Sequence, residues 1–138
     1  MDKALNYLSL ARKGGLAELG EEPVGAIART GKAYVILVAG DASDHTWRRA
    51  KSYAAGTDQQ CIRLECTKEE MGFVVGRTSL AIAAFTDVSM ALAFVKALPE
   101  QEKVKKELEF LEAKSKKMRQ RKKEADAHKK NVRFGKKK

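Results

Sequence analysis

Asp41, Asp44 and His45 are the first residues in the chain whose types and spacing suggest chemistry. Two carboxylates and an imidazole within five positions could open a metal site or an acid–base pair. A metal needs three or four convergent ligands, and no further His, Cys or acid falls at a spacing that completes this set. The residues fit better as loop and cap, with Asp44 predicted to cap a following helix and His45 to sit on its surface. Cys61 and Cys66 are five apart, with no second pair and no suitably placed His. That excludes a zinc ribbon or a disulfide framework and leaves Cys61 to pack in a strand, with Cys66 open as a reactive thiol. No nucleophile–base pair and no phosphate-cradling glycine loop is present, so neither an enzyme nor a cofactor is expected.

The chemistry that remains is recognition of a polyanion. Net charge is +10, and it is unevenly spread. Residues 1–98 carry 12 Lys/Arg against 11 Asp/Glu, whereas residues 99–138 carry 16 against 7. From Lys114 onward there are 13 basic residues and 2 acids. Such a segment gains free energy at a polyanion by releasing condensed counterions, and nucleic acid is the commonest one in a cell. The candidate contacts are Lys116, Lys117, Arg119, Arg121, Lys122 and Lys123, then Lys129, Lys130 and Arg133, with Phe134 placed to stack on a base. Arg77, Thr78 and Ser79 follow Gly76 in a turn, where Arg77 suits a phosphate or an unpaired base. Glu21 and Glu22 stand at a predicted helix start, where carboxylates either accept from base amino groups or simply favour the positive end of the helix dipole. Arg48, Arg49 and Lys51 form a small basic helix face, and Trp47 and Tyr53 fall at packing positions of the same helix.

These residues are carried by alternating elements. Leu5, Leu8 and Ala11 share a face of a first helix with Asp2 as a possible N-cap, ended by Gly14-Gly15. A short strand over Leu16 to Leu19 precedes a helix that opens at Gly20-Glu21-Glu22-Pro23 and ends at Gly31. Ala33 to Ala39 is a continuous apolar run that predicts a strand buried on both faces. Trp47, Ala50, Tyr53 and Ala54 stripe the third helix, closed by Gly56, and Cys61 to Leu64 is the third strand. Thr67 and Glu70 form a capping box for a short helix reaching Val75. Leu80 to Phe85 is the fourth strand, and Asp87 caps a helix whose Met90, Ala93, Phe94 and Leu98 face inward. The strict alternation predicts a three-layer α/β/α sandwich with a largely parallel sheet.

After Pro99 the pattern changes. Val104, Leu108, Leu111 and Met118 make a narrow apolar stripe on an otherwise charged helix. Two heptads are short for a coiled coil, so the stripe suits docking on the domain or a weak dimer, and oligomeric state stays open. The expected organisation is a domain over residues 1–98 and a basic, partly helical extension over residues 99–138. The start of the chain shows no apolar signal segment, and the longest apolar run is far too short to span a membrane. A cytoplasmic location is expected, with no membrane partner.

Several phrases in order resemble the kink-turn-binding ribosomal protein family, L-seven-Ae and its L-thirty-e-like and Gadd-like relatives, nearest to the small bacterial YlxQ-like branch. They are Leu8-Ser9-Leu10-Ala11-Arg12-Lys13-Gly14-Gly15, then Gly20-Glu21-Glu22 opening a helix that ends at Gly31-Lys32-Ala33. Val35-Ile36-Leu37-Val38-Ala39-Gly40-Asp41-Ala42-Ser43, Thr67-Lys68-Glu69-Glu70-Met71-Gly72, Gly76 and Phe85-Thr86-Asp87 follow. Together they span about residues 5–98. The resemblance implies an α/β/α sandwich of the L-thirty-e-like type that binds structured RNA, with rRNA or the ribosome as partner. Carried over by position, its RNA contacts are Gly20, Glu21, Glu22 and Pro23 at a helix start, Asp41 after the second strand, and Gly76, Arg77, Thr78 and Ser79 before the last strand. Tight kink-turn binders carry G-x-N-E at the helix start and a Lys three residues on. Here Glu22, Pro23 and Ala26 occupy those positions, and Leu16 replaces a common basic residue. These changes remove phosphate contacts and base-edge hydrogen bonds. A protein-interaction module of the same fold is the alternative the resemblance allows.

Overall fold

A computed structural model describes the backbone of residues 1–134 and the side chains of residues 1–125. The chain runs α1 (Asp2–Lys13), β1 (Ala17–Leu19), α2 (Glu21–Arg29), β2 (Val35–Val38), α3 (Asp44–Ala54), β3 (Gln60–Arg63), α4 (Lys68–Val74), β4 (Ile82–Phe85), α5 (Val88–Lys96), a 3-10 turn (Gln101–Val104) and α6 (Lys105–Phe134). The helices begin where local chemistry satisfies their first N–H groups. Thr67 and Glu70 form the expected reciprocal capping box at α4, and Asp87 accepts from Met90 N–H at α5. Two expected caps are displaced by one residue. Ser43, not Asp44, caps α3 by accepting from Thr46 N–H, and Asp44 is the first helical residue. Met1, not Asp2, precedes α1 and supplies no side-chain cap, leaving Asp2 as an acid in the first turn.

The sheet order is β1-β4-β2-β3. Only β2 and β3 are parallel; β4 runs antiparallel to both β1 and β2. The sheet is therefore mixed, against the largely parallel expectation, and helix length gives the reason. The 11-residue α3 lies along β2 and β3 and carries the chain back to the start of the sheet. The seven-residue α4, about 10 Å long, packs on α1 instead, so β4 enters from the end at which β3 finished. Helices α2 and α3 cover one face of the sheet, and α1 and α5 pack together on the other.

The core is one cluster. Val35, Ile36, Leu37, Val38 and Ala39 are buried, as the unbroken apolar run required, and Phe85 meets Phe94 with ring centroids 5.2 Å apart. The cluster does not stop at Pro99. Val104 and Leu111 are buried within it and Leu108 packs against it, so the apolar stripe of the extension docks on α5. Gln59 is a buried polar residue with all its needs met locally. Its Oε1 accepts from Ala33 N–H at 2.9 Å and its Nε2 donates to Ala28 O at 3.1 Å, tying the end of α2 to the start of β3.

Candidate nucleic-acid interface

Strand register brings three candidate segments to one end of the sheet. Leu19, Val38 and Arg63 finish their strands where Ile82 opens β4. The segments that follow or precede them are Gly20–Pro23, Gly40–Asp41 and Gly76–Ser79. Backbone hydrogen bonds fix them to the scaffold: Gly20 N–H donates to Ile82 O at 3.0 Å, Gly40 N–H to Cys66 O at 2.8 Å, and Leu80 N–H, just after Ser79, to Lys68 O at 2.9 Å. Gly20 sits at φ 94°, a conformation that costs glycine little and other residues much, and this lets α2 start straight out of β1. The Arg77 guanidinium lies beside it, with Nη1 3.7 Å from where a Cβ on Gly20 would stand. Gly72 is needed for close approach: a Cβ there would meet Arg77 O and Ser79 N, each at 2.8 Å. Helix α4 thus holds the 77–79 backbone directly against its side.

The individual side chains differ in how free they are. Arg77, Thr78, Ser79, Glu22 and Pro23 are exposed. Glu21 faces α3, where Arg49 Nε stands 2.9 Å from its Oε1. The Arg49 N–H is not aimed at that oxygen, which is buried and accepts no hydrogen bond. The Tyr53 side chain and then the Glu21 carboxylate hold the Arg49 guanidinium above its ordinary pKa. Asp41 accepts from Lys68 N–H at 2.7 Å, so its carboxylate is engaged at the start of α4. Arg63 donates to the Gly40 and Ala42 carbonyls and lies over the Trp47 ring, with Lys51 also near that ring. Trp47 is half-buried, as a packing role predicts, and His45 is exposed.

Phe73 was not singled out by sequence reasoning. It is 83% exposed on α4, close to the Gly76–Ser79 turn. A signal for it existed: Met71 and Val75 face the core four residues apart, which puts Phe73 on the opposite side of the helix. Leu10 on the neighbouring α1 is also exposed, at 57%. Burial pushes the Cys61 thiol up to about 12 and the Cys66 thiol up to about 11, so Cys66 lacks the thiolate character of a reactive cysteine. Among the described residues no group of His, Cys, Asp and Glu is arranged to hold a metal, and no helix is long and apolar enough to cross a membrane.

Helix α6 carries the second set of candidates. Lys116, Lys117, Arg119, Arg121, Lys122 and Lys123 are all exposed. Lys129, Lys130 and Arg133 continue the same helix, but their side chains, with that of Phe134, lie outside the described residues. The helix starts near the loop end of the sheet, where Lys103 Nζ lies 3.0 Å from Glu65 Oε1. It passes the opposite end, where Lys114 Nζ lies 3.8 Å from Asp58 Oδ2 and Tyr34 Oη donates to Met118 Sδ at 3.7 Å. Tyr34 immediately precedes β2, and Asp58 stands two residues before β3. The loops and the cationic part of α6 therefore stand at opposite ends of the sheet.

No family model matches the sequence, and no curated protein matches it. Solved structures do match. A protein of unknown function from Bacillus halodurans superposes with a TM-score of 0.66 at 18% identity, covering 72% of this chain and 100% of that one. The Giardia lamblia 15.5kD RNA binding protein superposes with a TM-score of 0.59 at 12% identity, covering 68% of this chain and 80% of that one. At such identities the likeness is one of fold, and the fold of this chain is a three-layer α/β/α sandwich of the L-thirty-e-like type with a basic, helical C-terminal extension.

Proposed function

We propose that this protein is a non-enzymatic RNA-binding protein that recognises structured RNA, kink-turn-like or looped, in association with the ribosome or its rRNA. The observation that carries the reading is the cationic helix. Six exposed Lys and Arg side chains between Lys116 and Lys123 sit on a helix whose root is buried in the core through Leu111. Rigid anchoring means the charges are presented by the domain rather than by a free chain, so less ordering entropy opposes binding. The three clustered loops supply a second, compact surface with Arg77 exposed beside Gly20, suited to an unpaired base or a bent backbone. The shared fold with the Giardia lamblia RNA binding protein agrees with this reading.

The test is binding of the full chain to a kink-turn RNA and to a plain RNA duplex at about 50 and 200 mM salt, beside a variant with Lys116, Lys117, Arg119, Arg121, Lys122 and Lys123 changed to Gln. Affinity of the native chain should fall on the order of 10³-fold across that range, and the variant should have a much shallower salt dependence. Preference for the kink-turn over the duplex should survive in the variant and be lost in Arg77→Ala. Salt-independent binding, or none, overturns the reading.

A second reading is favoured by one specific observation. Phe73 and Leu10 are large apolar side chains left exposed on the adjacent helices α4 and α1, next to an acid-rich loop end. They suit a protein partner docking on that face, the loops then serving recognition of protein instead of RNA.

A further inference from the structure

The two candidate surfaces differ in charge as well as position. The loop end exposes Glu22, Asp44, Glu65, Glu69, Glu70 and Glu100 beside Arg63, Arg77 and Lys103, and Lys103 is taken up by Glu65 and Glu100. The opposite end exposes Arg12 and Lys13 where α1 finishes, and Arg29 and Lys32 where α2 finishes. Register puts both helix ends at this one end of the sheet, on its two faces. Leu16, just after α1, accepts from Thr86 N–H, and Tyr34, just after Lys32, donates its N–H to Phe85 O, so both helix ends flank the close of β4. The acids at this end are already engaged: Asp58 faces Lys114, and Asp87 caps α5. None of Arg12, Lys13, Arg29 and Lys32 is in an ion pair among the described residues. Helix α6 leaves the body at this same end, adding Lys117 and Arg121 to it.

The path between the two ends does not continue the positive surface. Residues 100–113 hold three Lys and five Glu. At 1.5 Å per residue, Lys116 lies about 17 Å and Lys123 about 27 Å along α6 from Lys105. An RNA seated on the loops would meet an acidic stretch before it met the cations. Counterion release rewards neutralised phosphates wherever they lie, and among the described residues Arg12, Lys13, Arg29, Lys32 and the six cations from Lys116 to Lys123 lie away from the loops.

We infer that the end formed by Arg12, Lys13, Arg29, Lys32, Lys117 and Arg121 is a second, sequence-tolerant site for an RNA backbone, distinct from the loop surface, so that one chain holds two RNA segments at once. This rests on the proposed RNA-binding function and extends it from single-site reading to bridging.

The experiment is a two-RNA capture assay with the full chain. A kink-turn RNA is immobilised and loaded with protein, unbound protein is removed, and a labelled plain RNA duplex is added. The bridging site predicts capture of the duplex through the protein, with mass photometry showing one chain per pair of RNAs. The variant Arg12→Gln, Lys13→Gln, Arg29→Gln, Lys32→Gln should still load on the immobilised RNA. Its direct duplex binding should show a salt slope smaller by up to about four, one per lost phosphate contact, and it should capture at least about tenfold less duplex. Displacement of the protein from the immobilised RNA by the duplex, two chains per RNA pair, or unchanged capture by the variant would each overturn bridging while leaving RNA binding intact. Failure to bind either RNA alone would instead overturn the proposed function itself.

Discussion

Asp41 Oδ1 accepts the backbone N–H of Lys68 at 2.7 Å, joining residues 27 positions apart and clamping the loop after β2 to the first turn of α4. Thr67 and Glu70 cap that same helix from within. Helix α4 in turn holds the 77–79 backbone, so Asp41 acts on the loop surface from beneath it. Asp41→Ala removes a charged helix-start acceptor and should cost about 1 kcal/mol of stability, read as a lower urea midpoint with an unchanged slope. Its effect on RNA affinity should be smaller than that of Arg77→Ala, because the carboxylate is already committed. A loss of affinity equal to that of Arg77→Ala with no loss of stability would make Asp41 a direct RNA contact instead.

What could be read from the sequence divides along the same line of separation in the chain. The capping box at Thr67 and Glu70 was legible because donor and acceptor are three residues apart. Asp41 and Lys68 were not, since their meeting depends on two strands finishing at one end of the sheet. The buried strand over Val35–Val38 followed from an unbroken apolar run, but strand direction did not. It depends on whether the helix after a strand lies along the sheet, as α3 does, or turns aside onto α1, as the shorter α4 does. The site residues show the same limit. That Gly20–Pro23 and Gly76–Ser79 share one surface is implied by resemblance alone, and their nearness is seen in Arg77 Nη1, 3.7 Å from where a Cβ on Gly20 would stand. That Glu21 is taken up by Arg49, and that the cationic helix leaves from the far end, are matters of tertiary placement with no local pattern to announce them.

Phe73 separates the two functional readings. It is almost fully exposed, so Phe73→Ser should leave stability within about 0.5 kcal/mol. If the ring stacks on an unpaired base next to the Arg77 turn, the variant should lose about 1–3 kcal/mol of RNA affinity, roughly 5- to 150-fold. If the ring docks a protein partner, RNA affinity should be unchanged while nuclease-resistant co-purification of a partner is lost. Titration of the purified variant against the looped RNA, beside a pull-down with and without nuclease, decides between them.

Cys61 and Cys66 give the chain a defined alkaline response. Burial raises both thiols from an ordinary value of 9.0, to about 12 and about 11 respectively. A group held protonated by folding contributes its stability fully below the unfolded pKa and loses it as pH rises toward the folded one. Stability should therefore hold to about pH 9 and decline between there and about pH 11–12. A variant with both cysteines changed to Ala should show less of that decline, measured as urea midpoints at pH 8 and pH 10.5. At pH 8 the native thiols should react slowly with a disulfide reagent and quickly in urea. Fast native labelling of Cys66 would show it to be accessible and ionised, contrary to its burial.

Leu111 is the residue on which the extension depends. It is fully buried against the domain, whereas Met118, one heptad later, is 38% exposed and touches Tyr34 through its sulfur. Leu111→Ala empties a closed part of the core and should cost about 2–5 kcal/mol. Met118→Ala should cost under about 1 kcal/mol, because the side chain is only partly removed from water. The two variants also differ in what they do to RNA binding. Under conditions in which it is still folded, Leu111→Ala loosens the root of α6, so the cations must be ordered on binding and affinity for a plain duplex should weaken at an unchanged salt slope. The number of phosphates neutralised stays the same while the entropy of presenting the charges worsens. A steeper or shallower slope in Leu111→Ala would mean that docking on the domain selects which cations reach the RNA.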